Sequence, residues 1–257
     1  MIFDCHTHTK FSADSTMGPR FALEQAERLG IGIIFTDHFD FNFPNPKYDF
    51  TFDVKQYFKE YEPYRRDGSR LRLGVELGLR EDSRDANANF LKQGNFDMAI
   101  GSIHLIDDTD IYDRFCYEGR PKAEVYREYF RSMAQEASVQ DFDTLGHIDY
   151  IARAATYENP EIDYGTFHGE IDLVLMTIIE RGILLELNTR RLGSVRAMKE
   201  LAPVFTRYKK LGGKYVTIGS DAHKSSAIGE YFDRANSFIN EIGLRQAIFN
   251  RRQLEPI

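Results

Sequence analysis

Apolar positions along the chain fall into two alternating patterns. Short runs, apolar and often β-branched, occur at residues 2–5, 32–36, 71–76, 98–101, 144–147, 183–187 and 215–219, several after a glycine or a polar turn. Between them lie stretches with helical spacing, at 19–29, 53–65, 84–93, 121–139, 167–181, 194–211 and 232–242. The first helical stretch opens on Pro19 and stops at Gly30, residues suited to a first helical position and a C-terminal cap. Strands that alternate with helices need crossover connections and therefore a mostly parallel sheet. Seven such strands, evenly spread and without a linker, charge block or repeat, predict one α/β domain over residues 1–257, a closed or nearly closed barrel. In α/β barrels the chemistry sits at the C-terminal ends of the strands, where the βα loops meet.

Composition narrows the class. A chain of 257 residues can bury a full core without disulfide or metal staples. Its 33 Lys+Arg against 40 Asp+Glu give a net charge of −7. That balance argues against general affinity for nucleic acid or anionic membrane, though not against a locally cationic pocket. No uncharged apolar run approaches the roughly 20 residues that span a bilayer. The opening residues lack the basic and apolar regions of an export signal, and the 2 cysteines are too few for a disulfide framework. The expectation is a cytoplasmic protein with reduced thiols.

The 7 histidines are placed unevenly. His6 and His8 close the first predicted strand, His38 the second and His147 the fifth; His104 follows the fourth and His223 the seventh. His168 alone lies in a helical stretch and reads as ordinary. A barrel brings the other six to one mouth. Carboxylates join them there: Glu76 ends the third strand, Asp221 stands beside His223, Asp14 lies in the first βα loop, and Asp37 precedes His38. Residues i and i+2 of a strand point to one side, roughly 6–7 Å apart, so His6 and His8 can converge on one metal. Asp221 and His223 share that spacing and can serve one metal or two neighbouring ones. Imidazole with carboxylate suits Zn, Mn or Fe, and Cys5, opposite His6 in the alternation, reads as a small buried apolar side chain. So many N/O ligands exceed one tetrahedral site. They imply two or three divalent ions, with Glu76 as the natural bridge. The βα loop at 39–52 carries six aromatics, and reads either as a self-packed surface loop or as a lid.

The ordered set His6-Thr7-His8-Thr9, Thr36-Asp37-His38, Gly74-Val75-Glu76, Gly101-Ser102-Ile103-His104, Gly146-His147 and Ser220-Asp221-Ala222-His223 resembles the motifs of the PHP (polymerase and histidinol phosphatase) superfamily. The resemblance implies a distorted (β/α)7 barrel with a trinuclear metal centre. It places the first ion on His6, His8, Glu76 and Asp221, the second on Glu76, His104 and His147, and the third on Asp14, His38 and His223. Asp37 falls outside that set and is expected to support it from behind. Within the superfamily the chain looks most like the free-standing histidinol-phosphate phosphatases. The cues are residues 8–15, 101–108, 146–150 and 186–189.

The implied reaction is hydrolysis of a phosphate monoester, histidinol phosphate to histidinol and phosphate, in histidine biosynthesis. Adjacent divalent ions lower the pKa of a water and clamp the phosphoryl oxygens, with Glu76, Asp221 and His223 closest to the chemistry. Guanidinium forks suit the phosphate, and Arg153, Arg190 and Arg191 follow strand ends. Asp107 and Asp108, just beyond His104, are candidates for the substrate ammonium. Two other classes compete: a phosphodiesterase or exonuclease acting on nucleotides, disfavoured by the acidic balance, and a non-catalytic metal-binding module, disfavoured because every ligand position is filled.

Overall fold

The two hydrophobic periods translate into strands and helices in alternation. In the computed structural model, which describes residues 1–65 and 70–257, the strands are β1 Phe3–Thr7, β2 Gly32–Phe35, β3 His38–Phe39, β4 Leu71–Gly78, β5 Met98–Ser102, β6 Leu105–Ile106, β7 Thr109–Asp110, β8 Thr144–Leu145, β9 Leu184–Asn188, β10 Tyr215–Gly219, β11 Arg245–Asn250 and β12 Gln253–Pro256. The α-helices are α1 Pro19–Leu29, α2 Val54–Tyr61, α3 Arg84–Leu91, α4 Lys122–Val139, α5 Ile151–Ala154, α6 Tyr164–Arg181, α7 Val195–Lys210 and α8 Phe232–Ile242. Helix ends follow local chemistry. Pro19 opens α1 and Gly30 ends it at φ 70°, while the Asp53 and Ser194 side chains accept from Gln56 and Ala197 at the starts of α2 and α7.

Strands β1, β2, β4, β5, β8, β9 and β10 lie side by side in that order, each parallel to the next. The seam between β10 and β1 closes at the C-terminal edge, where Asp221 N donates to His6 O at 2.8 Å and His8 N to Ala222 O at 2.9 Å. At the opposite edge the seam is filled by β11, a strand the periodicity did not predict. It pairs in parallel with Tyr215 and Val216 of β10, and the Gln246 amide reaches across to Phe3, donating to its carbonyl at 2.7 Å. The result is the distorted seven-stranded α/β barrel that the motifs imply.

Alternation along each strand divides the core. Leu71, Leu73, Val75 and Leu77 of β4 pack outward in the large helix–sheet core, which leaves Glu76 facing the interior. Inside, Phe3, Cys5, Ile34, Met98, Ile100, Leu184, Ala247, Ile248 and Phe249 form a separate apolar cluster. Three of those nine come from β11, so this penultimate strand plugs the barrel floor. Above this plug the interior turns polar: Thr144 and Thr217 hydroxyls meet at 2.8 Å, beneath Glu76 and Glu186. No helix among the described residues is long and apolar enough to cross a membrane.

Candidate metal centre

The polar layer is built by strand ends. Glu76 is fully buried in β4, and β3 pairs with it so that His38 lies directly beside it. The second predicted strand, 32–36, is β2; the strand breaks at Thr36-Asp37, and β3 follows as a separate short strand paired with β4. His6 reaches inward because Gly219 of β10 has no side chain; a Cβ there would sit 2.5 Å from Glu186 Oε1 and collide with His6 Cβ. His104, His147 and the pair Asp221 and His223 follow β5, β8 and β10, and Asp14 lies in the β1–α1 loop.

These nine residues converge. Glu76 Oε2 lies 3.1 Å from His6 Nε2, 3.4 Å from His8 Nε2 and 3.1 Å from His38 Nδ1. Its other oxygen lies 3.2 Å from His104 Nε2 and 2.9 Å from His147 Nε2. Asp221 Oδ1 is 3.3 Å from His8 Nε2 and 3.6 Å from His223 Nδ1. Asp14 Oδ2 is 3.0 Å from His223 Nε2 and 3.8 Å from His38 Nε2. His168 stays outside, exposed on α6.

A ring of acceptors behind the histidines fixes their orientation. Asp37 accepts from the Ser12 hydroxyl at 2.8 Å, which leaves Ser12 Oγ to accept from His8 Nδ1 at 3.0 Å and from His38 N at 3.0 Å. His8 then carries its proton on Nδ1 and presents a lone pair at Nε2. Glu186 accepts from His6 Nδ1 at 2.7 Å and from His147 N at 2.7 Å, and Asp40 meets His104 Nδ1 at 2.7 Å. Asp37 is thus placed as the sequence suggested, whereas Asp40 was not singled out and Ser12 and Glu186 entered only within the motif stretches 8–15 and 186–189. Their signals are faint in sequence: Asp40 stands two residues after His38, Ser12 four after His8, and Glu186 sits near the end of β9.

Burial alone would raise the Glu76 and Asp221 pKa values, but surrounding histidines, and Arg153 beside Asp221, hold both well below the usual carboxylate range. For His8, burial and the neighbouring His223 and His38 push the pKa well below normal, which favours the neutral ligand form. Burial also lowers His147. Buried polar atoms normally find partners, yet His6 Nε2, His8 Nε2, His38 Nδ1, Asp40 Oδ2 and Glu76 Oε2 have no hydrogen-bond partner among the described residues. Burial would lower the pKa of His6, His38 and His104, but the carboxylates around them outweigh burial and raise it, so imidazole nitrogens and carboxylate oxygens crowded together here call for cations between them. The triples His8/His38/His223, His6/Glu76/His147, His6/His8/Asp221 and His38/Asp40/His104 each bring ligand atoms within 4.8 Å, so the donor set fits divalent ions.

A cavity of about 390 Å³ opens over this layer. One wall carries Phe43, Tyr48 and Phe50 from the 39–52 loop; the other carries Asp110, Tyr112 and Tyr150. The loop is divided in use, because Phe39 and Phe52 pack on Phe90 of α3 instead. Arg153 and Arg190 also line the cavity. Arg153 is buried, pairs with Asp221 Oδ2 through Nη1, and leaves Nε and Nη2 without partners. Burial opposes its charge, but Asp221 and Asp149 outweigh burial and raise its pKa. Arg190 is half exposed, with Nη1 3.6 Å from Asp221 Oδ2.

Three expected substrate contacts are elsewhere. Arg191 does not line the cavity; Glu161 takes its Nη2 at 2.7 Å and Asp149 its Nη1 at 3.1 Å. Asp107 and Asp108 form the left-handed turn of the β6–β7 hairpin, at φ 47° and 59°. Asp108 there pairs with Arg80 at 2.6 Å, and Asp107 lies 3.8 Å from Arg120. The hairpin reverses the chain, so it is Asp110 that faces the cavity.

Comparison with known proteins agrees with this geometry. A family model described as PHP domain matches residues 4–190. A protein of Clostridium acetobutylicum named "Probable histidinol-phosphatase" is 40% identical over 256 residues, covering 99% of each chain. The "Histidinol-phosphatase" of Lactococcus lactis is 29% identical over 95% of this chain and 92% of its own length. The crystal structure of histidinol phosphate phosphatase from Lactococcus lactis, complexed with Zn, L-histidinol and phosphate, superposes with a TM-score of 0.92, covering 99% of this chain and 98% of that one at 28% identity. With its motifs in order, its histidines and carboxylates gathered at one mouth and its length matched throughout, the chain belongs to the PHP domain family.

Proposed function

We propose that the chain, acting as one unit over residues 1–257, hydrolyses histidinol phosphate to histidinol and inorganic phosphate. The observation that carries this reading is the cavity itself. It joins a floor of metal-type donors to buried Arg153, two of whose donor nitrogens have no partner, with a carboxylate and aromatic rings in the lining. The named functions of full-length relatives point the same way.

Two or three divalent ions, with zinc favoured by the Lactococcus structure, would be held by His6, His8, Glu76 and Asp221, by Glu76, His104 and His147, and by Asp14, His38 and His223. Bound there, such ions supply Lewis acidity and a nucleophilic water at neutral pH. The side chains do the rest. Arg153 donates from Nε and Nη2 to two phosphoryl oxygens while its Nη1 stays on Asp221, and Arg190 adds a second cation from the rim. Asp110 accepts from the substrate ammonium, and Tyr112 and Tyr150 bound the space for the imidazole. Phe43, Tyr48 and Phe50 exclude water from the opposite side. A reduced cytoplasmic setting suits Cys5 and Cys116, both free and buried.

The test is phosphate release from histidinol phosphate, nucleotide mono- and diesters, and sugar phosphates, with metal content measured on the same preparation. Histidinol phosphate should exceed every other substrate in kcat/KM by about ten-thousandfold, the discrimination expected when a site built for polar substrate groups leaves them unpaired. A nucleotide or sugar phosphate turned over equally well would overturn the assignment.

A further inference from the structure

Beyond the nine candidate ligand positions the centre contains the buried carboxylates Asp37, Glu186 and Asp40, and of these Asp40 alone lines the cavity. It follows β3, is 5% exposed and lies against two of the metal-type histidines. Its Oδ1 meets His104 Nδ1 at 2.7 Å, and its Oδ2 lies 3.5 Å from His38 Nδ1 without a hydrogen-bond donor. His104 in turn directs Nε2 at Glu76.

The sequence makes room for this carboxylate deliberately. Gly78, at the end of β4, faces Asp40, and a Cβ there would lie 2.6 Å from Asp40 Cγ and closer still to Oδ1. No real Cβ tolerates such contacts, and the strand is too well paired on β5 to move away. Gly78 has no left-handed φ to justify glycine. Asp40 justifies it.

We infer that Asp40 is a positioning residue for the metal centre: it holds the His104 tautomer and ring, and Gly78 exists to admit it. An imidazole ligand whose remote nitrogen donates to a carboxylate is fixed in direction and made more basic, and losing such a partner typically weakens metal affinity 10–100-fold. His104 belongs to the second of the three proposed ion sites, so the effect should fall on one bound equivalent and spare the others. This inference rests on the metal reading above.

The experiment titrates zinc into metal-stripped wild type, Asp40→Ala, Asp40→Asn, Gly78→Ala and the double variant, against a competing chelator. Unfolding of each stripped protein is followed alongside. Asp40→Ala should weaken one equivalent by roughly 10–100-fold and leave the rest within about twofold. Asp40→Asn retains an acceptor for His104 Nδ1–H and should recover most of that loss. Gly78→Ala, which touches no proposed ligand, should reproduce the Asp40→Ala defect by displacing the carboxylate. In the double variant the clash is gone, so the two effects should not add. A folded Asp40→Ala that binds every equivalent like wild type overturns the role, as does a uniform loss at all sites that tracks a less stable stripped protein. If wild type binds no zinc tightly, the metal reading falls, and this inference with it.

Discussion

Arg153 offers a sharp test of how the phosphate is held. Its guanidinium has one arm committed to Asp221 and two donors, Nε and Nη2, buried without a partner. Hydrogen bonds to charged groups contribute about 1.5–3 kcal/mol each. Lysine would keep a cation beside Asp221 but replace at most one of the two free donors. Arg153→Lys should therefore lose one such bond, a roughly 10–100-fold fall in kcat/KM at 1.4 kcal/mol per tenfold. Inorganic phosphate should bind more weakly by a similar factor, because the lost contact is to the phosphoryl group and not to the leaving alcohol. Arg153→Gln removes the charge and the fork together and should cost about 3–6 kcal/mol. Steady-state kinetics on histidinol phosphate, phosphate inhibition, and metal content of each variant make up the assay. Metal content separates a lost phosphate contact from a loosened Asp221. If Arg153→Lys keeps both kcat/KM and phosphate affinity within twofold at full metal content, the two buried donors do not hold the phosphate.

Two further outcomes are expected. Glu186→Gln leaves one oxygen to serve both His6 Nδ1 and His147 N, which Glu186 now meets with separate oxygens, so metal affinity should fall about 10–100-fold; unchanged affinity in chelator competition would remove Glu186 from that role. Asp143, on the barrel floor, has its pKa raised to about 6 by burial, with Arg252 and Ala99 N acting in opposition. A carboxyl that binds its proton more tightly when folded makes stability fall as pH rises from about 4 to about 6, by about 3 kcal/mol at 1.36 kcal/mol per unit. Asp143→Asn should lack that dependence, and denaturant unfolding of both proteins across the window would show a constant difference if the reasoning is wrong.

The nine candidate ligand positions were legible in the sequence because eight of them sit at or just beyond a strand end, which hydrophobic periodicity marks, while Asp14 lies in the first βα loop. His6 and His8 announce themselves by i, i+2 spacing, and Asp221 and His223 do likewise. Residues that act through partners far along the chain were not legible. Glu186 matters because it meets His6, 180 positions away, and nothing near Glu186 says so. Arg191 follows a strand end as Arg190 does, but Glu161 and Asp149 claim it, and that competition exists only in three dimensions. Asp107 and Asp108 lost their expected place to a two-residue hairpin turn, which shifts the cavity-facing carboxylate to Asp110. Residues 245–250 were not marked as a strand, because Ala247, Ile248 and Phe249 make an apolar run of three without amphipathic alternation, which a plug strand does not need.

That plug also constrains how the chain can fold. The Gln246 amide caps Phe3, and Phe249 packs in the same cluster as Phe3 and Cys5, so the floor joins segments more than 240 positions apart. Closing so long a loop costs conformational entropy before any contact rewards it. The roof repeats the arrangement, since His6 and His8 meet Asp221 there. A growing chain can pair β1 with β2 and β4 early, but neither end of the cylinder can be sealed until the last strands have been synthesised. Ion capture at the mouth and closure of the floor are late events on one seam, and metal occupancy thereby reports that the whole chain has come together.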